Sequence, residues 1–147
     1  MNEQRVLSQL LYEIPVLKVA GSTDVLVSSI EFDSRKVSPG ALFVATVGTA
    51  ADGHQFIDAA LQAGAVAIVC ERFPAALQPG VCYVSVEKST RVLGHLAAAW
   101  YDFPSSKLAL VGVTGTNGKT TIATLLYQLF SRLGHKAGLL STVVNYI

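Results

Sequence analysis

The chain has 147 residues, 51% hydrophobic and 14% charged, which matches one ordinary domain in length and is too apolar for a disordered segment. Its mean hydropathy is +0.46, yet apolar runs such as 65–70 and 108–113 fall short of the ~18 residues that cross a bilayer, so no membrane insertion is expected. Eleven Lys and Arg against ten Asp and Glu leave a net charge of +1, which argues against nucleic acid as a partner and leaves small anionic ligands open.

At the N-terminus, Glu3 and Arg5 interrupt the apolar core that a signal peptide needs, and the expected compartment is the cytoplasm. A helix is predicted over residues 3–12, where Val6, Leu7, Leu10 and Leu11 recur at helical spacing before Pro15. Residues 25–32 read as a strand ending in Asp33-Ser34-Arg35, and residues 41–47 as a second strand after the Ser38-Pro39-Gly40 turn. Asp52 is a candidate cap for a helix with Phe56, Ile57, Ala60 and Leu61 on one face, and Gly64 stands at its C-cap. Residues 65–70 and 81–86 are short buried strands, whose Cys70 and Cys82 lack metal-ligand spacing and fit reduced, buried thiols. Ser89 then starts a helix with Val92, Leu93, Leu96, Trp100 and Phe103 along one side. Strands alternating with helices predict an α/β sheet.

Pro104-Ser105-Ser106 reads as a linker, and the predicted domains are 1–104 and 105–147. The second begins with a strand over 107–113, continues through a glycine-rich loop and a helix striped by Ile122, Leu125, Leu126, Leu129, Phe130 and Leu133, and closes with a strand near 136–144, one βαβ unit. A segment of roughly 40 residues cannot bury a normal core. The chain is therefore expected to be the front part of a longer protein, catalytically inactive alone, with an exposed edge prone to self-association.

The strongest chemical signal is the run from Val111 to Thr121, Val-Gly-Val-Thr-Gly-Thr-Asn-Gly-Lys-Thr-Thr, between an apolar strand and a helix. Gly115 and Gly118 let backbone N–H groups approach phosphate oxygens, and the helix N-terminus adds partial positive charge. Lys119 supplies a full charge for β- and γ-phosphates, and the Thr120 hydroxyl is placed to ligate the accompanying Mg2+. Thr116, Asn117 and Thr121 complete the loop. The motif G-x-x-x-x-G-K-[ST] is matched except at its first glycine, where Val113 stands. A P-loop alone specifies a nucleotide and not a reaction.

The wording Gly115-Thr116-Asn117-Gly118-Lys119-Thr120-Thr121 resembles the ATP loop of the Mur ligases and of folylpolyglutamate synthetases. The stretch Asp33-Ser34-Arg35-Lys36-Val37-Ser38-Pro39-Gly40-Ala41-Leu42-Phe43-Val44-Ala45, with Asp52-Gly53-His54-Gln55-Phe56-Ile57 and Ala63-Gly64-Ala65 after it, resembles the UDP-binding domain that folylpolyglutamate synthetases lack. The loop is similar to the E type more than to the F type, which more often carries serine at position 116. The resemblance implies a UDP-binding α/β domain followed by the first βαβ unit of a P-loop ATPase domain. It also implies an ATP-dependent amide ligase that adds a diamino acid, meso-diaminopimelate or L-lysine, to UDP-N-acetylmuramoyl-L-alanyl-D-glutamate through an acyl phosphate in peptidoglycan precursor synthesis. Carried over by position, Phe32 and Ser34 contact the UDP moiety, the turn Gly48-Thr49-Ala50-Ala51 lies beside it through backbone groups, and Lys119 stabilises charge during phosphoryl transfer. The alternatives are an F-type ligase adding D-alanyl-D-alanine and a UDP-substrate-binding fragment without turnover.

Other polar residues have plainer readings. Asp33 and Arg35 suit an ion pair or turn hydrogen bonds as well as a ligand contact. His54 suits capping or packing better than metal ligation, having no second ligand at the right spacing. His95 and His135 read as surface or helix-end residues, and Trp100 and Tyr101 as core or domain-junction residues.

Overall fold

Strands covered on both faces need consecutive apolar side chains instead of alternating ones, and three runs of this chain supply them. In the computed structural model, which describes residues 4–48 and 51–146, every residue of Ala41–Val44, Ala67–Cys70 and Cys82–Val86 is buried. The chain divides into two units, Met1–Lys107 and Leu108–Ile147.

In chain order the first unit contains β1 (Arg5–Val6), α1 (Leu7–Leu10), β2 (Val16–Ala20), β3 (Leu26–Val27), β4 (Ser29–Glu31), β5 (Ala41–Val44), α2 (Ile57–Gln62), β6 (Ala67–Cys70), β7 (Cys82–Val86) and α3 (Ser89–Trp100). The main sheet has the order β2-β7-β6-β5-β4. Strands β4 to β7 are parallel, with Phe43 opposite Glu31 and Ile68, and Val69 opposite Val84. β2 closes one edge antiparallel to β7. The period-two geometry of a strand sorts the side chains between two layers. Leu42, Val44, Ala67, Val69, Cys82, Val84 and Val86 face Leu7 and Leu10 of α1 and Val92, Leu96 and Ala99 of α3. Phe43, Ala45, Ile68, Cys70 and Tyr83 face Ile57 and Ala60 of α2. The fold is a mixed α/β sandwich around a mostly parallel sheet. Gly64 (φ 97°) ends α2, and a Cβ there would stand 2.9 Å from Pro39 Cα, so this turn packs directly on the turn that feeds β5. The Cys70 and Cys82 thiols are free and buried, and burial pushes Cys70 up to about 11.

Several elements depart from the sequence pattern. The helix expected over 3–12 shrinks to α1, because Arg5 and Val6 pair with β3 and the next amides bond to the same neighbouring segment (Leu7 N to Val25 O, 2.9 Å; Ser8 N to Thr23 O, 3.0 Å). The strand expected over 25–32 splits at Ser28, whose N–H bonds to Gly40 O (2.9 Å), so β3 pairs with β1 while β4 joins the main sheet. Phe103 lies beyond α3, because Pro104 disfavours helix in the residue before it; Asp102 and Phe103 take positive φ (56° and 50°), and Phe103 packs on the core from outside the helix. Pro104–Lys107 forms a 3-10 turn.

The second unit contains α4 (Lys119–Arg132) and the antiparallel hairpin β8 (Leu139–Leu140) and β9 (Asn145–Tyr146). The expected βαβ unit is not formed. Residues 107–113 pair with no strand among the described residues, and Leu110 is 92% exposed; a strand needs a neighbour to take its N–H and C=O groups. The single strand expected near 136–144 is instead a hairpin that runs on to Tyr146. Its turn is held by Ser141 Oγ, which donates to Val144 O (2.7 Å) and accepts from Val144 N (3.0 Å), while Asn145 Oδ1 accepts from Ser141 N (3.0 Å). Tyr127 of α4 stacks on Tyr146 at 5.2 Å.

Candidate functional site

In open α/β sheets ligands bind beyond the carboxyl ends of the parallel strands, and in this sheet four chain segments leave β4, β5, β6 and β7 there. β4 delivers Phe32, exposed, and then Asp33, Ser34 and Arg35 on a 3-10 turn. Asp33 caps that turn by accepting from Arg35 N (3.1 Å), and the Arg35 guanidinium grips both its oxygens (2.9 and 2.6 Å). The Arg35 side-chain bond, reinforced by its backbone N–H, holds the Asp33 carboxyl down at about 2. Ser34 is half-buried on this turn.

β5 runs into a tight loop: Val47 bridges to Asp52, and Gly48 N donates to Ala51 O (3.0 Å). Gly53 closes it, donating to Thr46 O at 2.8 Å, and a Cβ on Gly53 would sit 2.7 Å from Thr46 N. Asp52 Oδ1 accepts from His54 N (3.0 Å) and meets His54 Nδ1 (2.6 Å), while Oδ2 takes the Arg72 guanidinium. The backbone N–H of His54, its ring and Arg72 hold the Asp52 carboxyl at about 2, against partial desolvation. Beyond β6, the Glu71 carboxylate accepts from Ser89 N (2.9 Å) and Ser89 Oγ (2.8 Å), at the start of α3. Ser89 Oγ in turn accepts from Val47 N at 3.4 Å.

In the second unit Gly115 (φ 154°) and Gly118 (φ 77°, left-handed) turn the chain into α4. Substitution at Gly118 is disfavoured by this conformation alone. The first turn of a helix leaves its N–H groups without intrahelical partners, so those of Lys119, Thr120 and Thr121 are available to an anion. Lys119 Nζ curls back over the loop and donates to the carbonyls of Gly115 and Thr116, the latter at 3.2 Å. A cation held against its own loop, beside unpaired helix amides, has the arrangement of a phosphate cradle.

Stretches of both units match known protein families. The model described as "Mur ligase family, catalytic domain" matches residues 26–101, more than half of the chain, and that of the "Mur ligase middle domain" matches 113–147. The chain belongs to the Mur ligase family. The UDP-N-acetylmuramoyl-L-alanyl-D-glutamate--2,6-diaminopimelate ligase of Parabacteroides distasonis is 56% identical over 92% of this chain and 27% of its own length, and that of Bacteroides fragilis 52% over 96% and 29%. The likeness is thus to E-type ligases, as the loop wording implied, and the chain spans less than a third of the length of these curated relatives. Among solved structures, the UDP-N-acetylmuramoylalanyl-D-glutamyl-2,6-diaminopimelate--D-alanyl-D-alanyl ligase of Acinetobacter baumannii superposes with a TM-score of 0.63 at 26% identity, covering 89% of this chain and 29% of that one.

For this Mur ligase chain the structure places Phe32, Ser34 and Ala51 at the carboxyl edge of the sheet; Thr49 and Ala50 lie outside the described residues. Gly115 to Thr121 stand together around the start of α4. Among the described residues no group of three His, Cys, Asp or Glu side chains gathers as a metal site, and His54 serves hydrogen bonds. His95 lies on α3 and is partly exposed, with Nε2 3.0 Å from Tyr12 O and its ring edge-on to Phe103. Trp100 packs on the core, whereas Tyr101, expected in core or junction, is 69% exposed, because α3 ends before it. The pattern reading missed Glu71, Arg72 and Ser89 as partners of the β5 loop. The available signal was a carboxylate immediately after a wholly apolar run, at the carboxyl end of a strand.

Proposed function

We propose that this chain provides the substrate-nucleotide domain (1–104) and the opening of the ATP domain (105–147) of a cytoplasmic ligase joining 2,6-diaminopimelate to UDP-N-acetylmuramoyl-L-alanyl-D-glutamate. The observation that carries the reading is the 56% identity over 92% of the chain to a ligase of that name. The site geometry agrees with it. Phe32 offers an apolar surface for a base and Ser34 a hydroxyl, and the family resemblance adds the turn at 48–51 beside the UDP moiety.

At the P-loop, the Lys119 ammonium and the α4 amides bind ATP phosphates, with Gly115, Thr116, Asn117, Gly118 and Thr121 shaping the cradle. The Thr120 hydroxyl would be a ligand for the Mg2+ that accompanies ATP, an ion bound through few protein oxygens together with phosphates and water. ATP supplies the phosphoryl group that makes an unreactive carboxylate an electrophile for the incoming amine. Lys119 acts electrostatically on the charge that develops in that transfer. No described helix is long and apolar enough to cross a membrane, which agrees with a soluble nucleotide substrate. The exposed apolar residues of 108–111 and of α4 favour association with another apolar surface, including a second copy.

Calorimetric titration of the chain with UDP-N-acetylmuramoyl-L-alanyl-D-glutamate and, separately, with magnesium-ATP tests the reading. Saturable UDP-substrate binding is expected, and Lys119→Ala is expected to remove ATP binding while leaving it intact. Turnover retained by Lys119→Ala in a ligase carrying all the family's domains would defeat the role given to Lys119.

A further inference from the structure

We infer that residues 101–107 form an arm latched to the first unit through Asp102 and Phe103, so that free play in the connection to the P-loop unit begins only at Leu108. By composition Pro104-Ser105-Ser106 suits a flexible linker. The hydrogen bonds hold it instead. Helix α3 ends in a Schellman arrangement, in which Asp102 N donates to Ala99 O (3.1 Å) and Phe103 N to Ala98 O (2.7 Å). The turn that follows closes onto the same residue, since Ser106 N (3.0 Å) and Ser106 Oγ (2.7 Å) both donate to Phe103 O.

The residue types at this turn are not those its backbone prefers. A Schellman turn places the residue after the helix in the left-handed region, where glycine is usual, yet Asp102 (φ 56°) and Phe103 (φ 50°) both occupy that region. Each side chain contributes what glycine lacks. The Asp102 carboxylate receives the Arg5 guanidinium through two bonds, Nη1 to Oδ1 (2.7 Å) and Nη2 to Oδ2 (3.1 Å), across 97 positions. A forked pair fixes direction as well as distance, and Arg5 stands on β1, itself paired with β3. The Phe103 ring packs on the core, edge-on to His95 at 5.4 Å, and His95 Nε2 lies 3.0 Å from Tyr12 O. The arm is thus fastened twice to the N-terminal segment 5–12. Beyond Lys107 these ties stop: Leu108 and Leu110 are 68% and 92% exposed, and residues 108–113 pair with no described strand.

Chymotrypsin digestion and hydrogen exchange of the 147-residue chain test the latch, whatever the two units bind. Tyr101 is 69% exposed, as open as Leu108, so the protease discriminates between them by how readily the backbone opens. Cuts are expected after Leu108 and Leu110, with the Tyr101–Asp102 bond spared. Amides of Asp102, Phe103 and Ser106 are expected to exchange at least about tenfold more slowly than those of 109–113. Arg5→Ala and Asp102→Asn, the latter keeping size and tolerance of the left-handed backbone, are each expected to speed exchange at those three amides about threefold to fivefold. Phe103→Ala is expected to speed it more than about tenfold, and exchange in 82–86 stays unchanged throughout. Because the pair acts as one, the double variant of Arg5 and Asp102 is expected to match either single variant.

Cleavage of the parent at Tyr101–Asp102 as fast as after Leu110 overturns the latch, as does exchange at Asp102, Phe103 and Ser106 as fast as in 109–113. Parental exchange in the Arg5→Ala and Asp102→Asn chains removes the ion pair from it, and parental exchange in Phe103→Ala removes the ring; either result overturns the inference as stated. So does a double variant whose effect is the product of the two singles, since the two residues would then act independently. If Arg5→Ala or Phe103→Ala fails to fold, Asp102→Asn decides.

Discussion

The two units of this chain are similar in local pattern and unlike in what they bury. In the first, apolar strands β5, β6 and β7 are closed between α1 and α3 on one face and α2 on the other. In the second, α4 carries an equally regular apolar stripe, but Ile122, Leu125, Leu129 and Leu133 are each about half exposed or more, and the run before the P-loop pairs with no strand among the described residues. Amphipathic pattern proposes an element; burial against a second layer is what stabilises it.

Hydrogen exchange offers the sharpest break in that comparison. Amides of 41–44, 67–70 and 82–86 are expected to exchange only on global unfolding, and those of 108–146 orders of magnitude faster. Uniform protection across both units would sink the contrast. Side-chain truncation comes next. Phe43→Ala, at a fully buried position, is expected to cost about 3–5 kcal/mol, whereas Leu125→Ala on α4 should stay within about 0.5 kcal/mol, both read from denaturant unfolding. Comparable losses would mean that α4 is as well packed as the sheet.

A smaller effect probes the carboxyl edge. Gly53→Ala forces a Cβ against the Thr46 backbone and is expected to cost about 1–3 kcal/mol while weakening the UDP substrate and sparing ATP; an unchanged substrate affinity would detach the loop from binding. The smallest is electrostatic. The Asp52 carboxyl lies at about 2 in the fold against an ordinary 3.8, so its contribution is complete above pH about 4 and fades as pH falls through about 2. Asp52→Asn should therefore flatten the acid-unfolding curve between those limits, leaving the similar share of Asp33 in place; a curve of unaltered slope would show that the His54 and Arg72 bonds are not made in solution.

How much was legible in the sequence depended on how local the cause was. Strands β6 and β7, helix α3, the Gly64 turn and the P-loop from Gly115 to Thr121 are all written in neighbouring residues, since apolar runs and glycine conformations act within a few positions, whereas Asp52 caps a 3-10 turn over Gly53–Phe56 and not α2 itself. The likeness to Mur ligases rested on such runs too. Tertiary structure decided what depends on partners distant in the chain. Residues 25–32 divide between two sheets because β1 arrives to pair with β3. Residues 107–113 remain unpaired because a strand is completed by its neighbour. Above all, the His54 ring finds its hydrogen-bond donors in the amides of Glu71 and Arg72, 17 and 18 positions away, brought to it by the parallel alignment of β5 and β6.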